Sequence, residues 1–163
     1  LIAHYKERGI KDGGIVVCSS DDFFHKKCGF NVSDQAYQDR DGNMVEYRFD
    51  PTKLGEAHAQ CLSTFIGAIT DKQPVVIVDN TNIHMWEWRN YCMIAMSHGY
   101  EVQVQEFRVD TVEQVRTVAR RNVHRVPADI VHRMCMEFEP YAGAVVHQVF
   151  PDEQTSKKLQ EQS

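Results

Sequence analysis

Two acidic clusters each follow a short apolar run, and those are the places where this sequence could do chemistry. Ile15-Val16-Val17-Cys18 leads into Ser19-Ser20-Asp21-Asp22, and Val75-Val76-Ile77-Val78 leads into Asp79-Asn80-Thr81-Asn82. Adjacent carboxylates at the end of a buried strand are costly unless hydrogen-bonded, paired or functional. One of them can take the proton of a hydroxyl nucleophile; the plainer alternative is that Ser20 or Asp21 caps the next turn. Four apolar residues and an acid is the Walker B pattern, in which Asp79 would help hold Mg²⁺ or its water shell beside phosphates. An N-cap from Thr81 or Asn82 for the following helix is the plainer reading there, and both roles fit together.

A third cluster, Arg120-Arg121-Asn122-Val123-His124-Arg125, lies where one helix should end and Pro127 should start another. Arginines on such a link can close over a nucleotide and stabilise charge on a transferred phosphoryl group. Cations favouring a helix C-terminus, or a solvated charge run, are the alternatives. Trp86, Trp88, Tyr91, Phe23, Phe24 and Tyr47 could stack on bases; Phe23 and Phe24, beside the acidic pair, are the better candidates for a substrate wall, whereas Trp88 belongs to an apolar helix face. The histidines show no ligand spacing, so a metal site of their own is not expected.

The elements that would position these groups follow from periodicity. Leu1–Arg8 reads as a helix stopped by Gly9; residues 15–18 and 75–78 read as fully buried strands. Residues 25–48 read as a hairpin or irregular insertion with Asp41-Gly42-Asn43 as its turn. Asp50 should cap a helix entered through Pro51, with Leu54, Ala57, Cys61, Leu62, Phe65, Ile66 and Ile69 on its apolar face. A third helix carries Met85, Trp88, Cys92, Ala95 and Met96 inward and stops near Gly99. Val102, Val104 and Phe107 mark a strand, and Asp110 with Glu113 resembles a capping box for a helix through Arg121. A fifth helix after Pro127 turns Ile130, Val131, Met134, Cys135 and Phe138 inward. The rest reads as a covering segment to Phe150 and a polar tail over 151–163. Alternating strands and helices predict an α/β fold, a parallel sheet wrapped by helices. Ligands bind such sheets at the strands' C-terminal edge, where both acidic clusters fall.

The formal charge is −5 over 163 residues, so nucleic-acid contact would need a local patch rather than an overall basic surface. Five cysteines, odd in number and without a Cys-x-x-Cys pair, argue against a disulfide framework or zinc knuckle. A reducing, intracellular compartment is expected: cytosol, nucleus or mitochondrial matrix. No apolar run approaches the ~20 residues of a membrane helix, so no membrane partner is expected.

Read in order, Ser19-Ser20-Asp21-Asp22-Phe23-Phe24, Phe49-Asp50-Pro51, Glu56-Ala57-His58, Val78-Asp79-Asn80-Thr81-Asn82-Ile83 with Trp86-Glu87, Gly99-Tyr100-Glu101-Val102 and Arg120-Arg121-Asn122-Val123-His124 form one series. It resembles the AAA-type P-loop kinase group that includes polynucleotide 5′-hydroxyl kinases, and within it the Nedd-four-binding-protein-2-like chains. The resemblance runs from Leu1 to about Phe150. It implies a three-layer α/β/α P-loop domain over 1–150 that uses ATP and Mg²⁺ to phosphorylate a hydroxyl of a nucleic acid or nucleotide. It implies Asp21 as general base, Asp79 facing acceptor and metal, and Arg121 reaching the phosphates with Arg120 and Arg125 as neighbours. Asp22, Phe23, Asn80 and Asn82 would line the acceptor. Its expected partners are a nucleotide, a single-stranded nucleic-acid 5′ end and proteins of a larger complex.

Such kinases begin with a strand and Gly-x-x-Gly-x-Gly-Lys-Ser/Thr, whose N–H groups and lysine cradle phosphates. No such run occurs in residues 1–163. The family pattern puts that first strand and loop just before Leu1, so truncation is the simpler expectation, and the 163-residue chain alone should neither bind ATP well nor transfer phosphate. Residues 25–48 depart from the group as an insertion, expected to be acidic and to oppose a polynucleotide. Position 125 is arginine where the group often has glycine. A non-catalytic scaffold in a larger assembly is the main alternative, and a nucleotide hydrolase without an acceptor a third.

Overall fold

The computed structural model describes residues 2–28 and 36–149. The chain divides into two compact units, Leu1–Thr81 with Met93–Gly99, and Asn82–Cys92 with Tyr100–Ser163.

In the first unit, α1 (Ile2–Glu7) ends as its sequence predicts: Gly9 takes φ 87°, and its N–H donates to the Lys6 carbonyl. An L side chain is strained in that left-handed region, which is why glycine stops the helix there. Strand β1 (Ile15–Cys18) is followed by a 3-10 turn over Asp21–Phe24. Strands β2 (His25–Lys27), β3 (Tyr37–Gln38) and β4 (Met44–Tyr47) form an antiparallel sheet in the order β2-β4-β3. The expected turn closes it: the Asp39 carboxylate accepts from the N–H groups of Asp41 (3.0 Å) and Asn43 (2.8 Å), an aspartate folding its own turn.

Asp50 caps the next helix, its carboxylate accepting from the Thr52 N–H at 2.9 Å, with Pro51 opening a 3-10 turn that runs into α2 (Leu54–Thr70). Burial on α2 falls on Ala57, Cys61, Phe65, Ala68 and Ile69. Leu54 and Ile66, expected inward, are exposed, so the buried stripe is narrower than the apolar one. Strand β5 (Val75–Val78) pairs in parallel with β1, Ile15 opposite Val75 and Cys18 opposite Val78. The expectation of full burial is corrected: of these eight residues only Cys18 is buried, the others half-buried. Parallel strands are buried only when both faces are covered and both edges paired, and among the described residues this sheet has two strands.

Helix α3 (Met85–Ser97) stops at Gly99, φ 84°, as its sequence predicts. Of its expected inward face, Ala95 is buried, Met85 and Met96 are exposed, and Trp88 is half-buried against Tyr141 with ring centroids 5.3 Å apart. In the second unit, β6 (Gln105–Arg108), α4 (Val112–Arg121), α5 (Ala128–Glu137) and β7 (Val145–Gln148) follow, with β6 and β7 parallel. Residues expected as a covering segment therefore supply a strand. Phe107 is 60% exposed and Glu106 4%, because strict alternation from Val102 and Val104 reaches 106, not 107. The buried Glu106 carboxylate is paired with Arg108 at 2.5 Å and accepts from the Tyr141 N–H. The capping box is also one residue on: Thr111 and Gln114 exchange the reciprocal hydrogen bonds. On α5 only Val131 is fully buried; its other inward residues are half-buried. The polar tail, 151–163, lies outside the described residues.

The protein is a mixed α/β chain with parallel strand pairs and helices. Among the described residues no helix is long and apolar enough to cross a membrane.

Candidate functional site

The parallel register of β1 and β5 sets both acidic clusters side by side at the C-terminal ends of neighbouring strands. The Asp79 N–H donates to the Cys18 carbonyl at 2.9 Å, carrying the pairing one residue past the strand. Across this edge the Asn80 side-chain oxygen accepts from the Ser20 N–H (2.8 Å) and hydroxyl (2.9 Å), while its amide donates to the Cys61 sulfur. Asn80, placed by its sequence in the acceptor wall, thus ties the two strand ends together. Ser20 sits at the cap position of the 3-10 turn but makes no side-chain cap, because its hydroxyl is engaged by Asn80.

The carboxylates are held from the hairpin. The Tyr47 hydroxyl donates to Asp21 Oδ1 at 2.7 Å. The Arg40 guanidinium donates to Asp22 Oδ2 and lies 3.8 Å from Asp79 Oδ2. His25 Nδ1 is 3.6 Å from Asp22, and its other ring nitrogen meets the Tyr37 hydroxyl at 2.8 Å. Residues 25–48 are therefore not an acidic obstacle. Lys26, Lys27, Arg40 and Arg48 balance Asp34, Asp39, Asp41 and Glu46, and the cation lies on the carboxylates. Arg40 was not legible as a site residue, and Tyr47 was legible only as an aromatic that could stack on a base, not as a partner of Asp21. Both sit in a segment read as an insertion, and only strand pairing brings His25 opposite Tyr47.

Burial pushes the Asp22 carboxyl above its ordinary range; the neighbouring Arg40 and His25 pull the other way but do not cancel it. Burial, and then the hydrogen bond to Asp21, raise the Tyr47 phenol well above its usual value, so it stays a donor at any physiological pH. Burial raises Tyr37 as well, followed by the charges of Asp21, Asp22 and Asp39. Phe23, expected in a substrate wall, is half-buried. Phe24 is not available as one: it is 3% exposed and packs edge-on against Phe23 and Tyr47 and tilted against Phe49.

The remaining sequence-predicted residues lie in the second unit. Asn82 takes φ 47°, a conformation asparagine tolerates better than most residues. It does not cap α3, which begins three residues later. The N–H groups of His84 and Met85 are met instead by the carboxylates of Glu87 (2.9 Å) and Glu139 (2.8 Å). Arg120 and Arg121 are exposed in the last turn of α4. The link beyond is shaped by Asn122, whose amide donates to the Val126 carbonyl and whose oxygen accepts from the His124 N–H. Arg125 adopts φ 57°, the left-handed region, where glycine would be unstrained.

Among the described residues no cluster of three or more His, Cys, Asp or Glu is placed to hold a metal ion unaided. Mg²⁺ beside phosphates needs only one or two protein carboxylates, with water and phosphate oxygens completing its shell. Asp79, 69% exposed at a strand end, fits that requirement.

Comparison with known proteins agrees with this architecture. Residues 3–141 match the profile of the AAA domain family, and the chain belongs to this P-loop kinase-like AAA family. A similar protein is human NEDD4-binding protein 2, 30% identical over 101 residues. That alignment covers 62% of this chain and 6% of the human protein. No solved structure matches the chain.

Proposed function

We propose that this chain is the body of an ATP-dependent phosphotransferase that phosphorylates a hydroxyl group, most simply the 5′-hydroxyl of a single-stranded nucleic acid or nucleotide. The carrying observation is the juxtaposition of Asp21 and Asp79 at adjoining ends of a parallel strand pair, the edge where α/β sheets bind ligands. Membership of a P-loop kinase-like family supports nucleotide use.

In this reading Asp21 accepts the proton of the attacking hydroxyl. Asp22 and Phe23 contact the acceptor, with Asn80 and Asn82 shaping its edge. Asp79 holds Mg²⁺, which when bound neutralises charge on the phosphates of ATP. Arg120, Arg121 and Arg125 are ligands for those phosphates, with Arg121 the one that stabilises the transferred group. Residues 1–150 act as one P-loop domain in three α/β/α layers. Positioning and charge neutralisation supply most of the catalysis.

The test is transfer of label from the γ-phosphate of ATP to 5′-hydroxyl oligonucleotides by the whole protein. The reading expects transfer, and a loss of about 100-fold or more in Asp21→Asn, the lower range for a general base. Transfer that is unchanged in Asp21→Asn, or phosphate release indifferent to the oligonucleotide, would sink it. The 163-residue chain by itself is expected to bind MgATP poorly and to be inactive.

A further inference from the structure

The hairpin strand β4 brings a group to the site that the phosphotransfer reading does not use. Tyr47 Oη donates to Asp21 Oδ1 at 2.7 Å, across 26 residues of sequence. The ring is fixed on several sides. It stacks on Phe49 with planes 9° apart and meets Phe24 and His25 edge-on. Its backbone is paired with His25 across β2–β4, and the next residue's N–H, that of Arg48, donates to the Phe24 carbonyl at 3.0 Å. A phenol on so short and braced a tether has little freedom to leave the carboxylate.

We infer that Tyr47 is a positioning residue for Asp21: it fixes the carboxylate through Oδ1 and keeps it ionised. This rests on the reading of Asp21 as the base. A hydrogen bond to the charged form of a carboxyl stabilises that form and lowers its affinity for a proton. Tyr47 therefore makes Asp21 a weaker base but one that is deprotonated and oriented over a wider pH range. The raised phenol affinity for its proton is the reciprocal of the same contact, after burial.

Other charges also face this carboxylate. Asp22 adjoins it in the turn, Tyr37 and Arg40 reach the turn from the hairpin, and His25 begins β2. Asp79 stands at the end of β5 beside Arg40, and Cys61 on α2 accepts from the Asn80 amide. None of these is changed by Tyr47→Phe, which keeps the ring and its stacking and deletes only the hydroxyl.

The experiment has two arms on the whole protein. Carboxyl NMR titration with ¹³C-labelled aspartate reads Asp21 in the wild type and in Tyr47→Phe; the inference expects its midpoint to rise by about one pH unit. Ultraviolet titration of tyrosinate reads Tyr47 in the wild type and in Asp21→Asn, where the phenol midpoint should fall. In the transfer assay, the acid limb of kcat/KM should move upward with Asp21 in Tyr47→Phe, which loss of packing alone would not do. An unmoved Asp21 midpoint in folded Tyr47→Phe overturns the inference. Should that variant not fold, an unmoved phenol in Asp21→Asn does the same. Absence of transfer in the wild type would instead sink the phosphotransfer reading while leaving both titrations legible.

Discussion

Replacing Arg40 with methionine removes one cation from between two carboxylates while keeping most of the side chain's apolar stem. The guanidinium is in direct contact with Asp22 and 3.8 Å from Asp79. At that second distance two unit charges in a water-like medium attract by about 1 kcal/mol, and more where solvent is excluded. The Asp79 side chain is 69% exposed, so solvent screening takes that interaction close to nothing. Asp22 and Arg40, at 37% and 35%, are better shielded, and exposed to half-shielded pairs are worth roughly 0.2–1 kcal/mol. The coupling in a double-mutant cycle of Arg40→Met with Asp22→Asn should therefore fall between about 0.5 and 1 kcal/mol at low salt. Urea denaturation at pH 8 measures it. In 1 M salt the screening length is about 3 Å and the coupling should drop by half or more. The attraction needs ionised Asp22, so it should also disappear once acid protonates that carboxyl. A coupling near zero at low salt, or one indifferent to salt and pH, would refute the ion pair as the hairpin's hold on the strand ends.

Three further outcomes are expected. Burial first, and then Cys61, raise the Cys18 thiol from an ordinary 9.0 to about 11, and its side chain is buried, so alkylation at pH 8 should be at least about tenfold slower than that of an unperturbed thiol, read by mass spectrometry. The Asp22 carboxyl has a folded pKa above its unfolded value, so its contribution to stability is complete below the unfolded pKa and is lost as pH rises through the folded one. Asp22→Asn should therefore gain on the wild type between pH 3 and pH 8 in urea melts. Lys72 and Arg125 both sit at positive φ, 54° and 57°, and each should stabilise the protein by up to about 1 kcal/mol when replaced by glycine; destabilisation at both would count against the strain argument.

Sequence periodicity located the strands and helices well because apolar spacing and caps are local. Asp50 with Pro51, and the glycine stops at Gly9 and Gly99, could be read directly. What periodicity could not show was pairing. Strand β7 is a short, exposed Val-Val-His-Gln segment that counts as a strand only through β6. Phe107 and Glu106 exchanged places because burial of a carboxylate is allowed only by a partner, Arg108, that local pattern does not reveal. The acidic residues were legible by type and by their place after apolar runs, and the structure sets Asp21, Asp22 and Asp79 at one strand edge. The contacts of Arg40 and Tyr47 with the acids were not, since they depend on hairpin register. Asn80 was placed as an acceptor contact, yet its side chain is spent on Ser20 and Cys61.

That the two acidic strand ends work as one site is tested most directly by single-turnover phosphate transfer in Asp21→Asn, Asp79→Asn and the double variant, each made in the whole protein. Groups that act on the same step as a unit are strongly non-additive. The double variant should accordingly lose little more than the worse of the two single variants. Losses that multiply, or singles that transfer phosphate at the wild-type rate, would contradict a shared site.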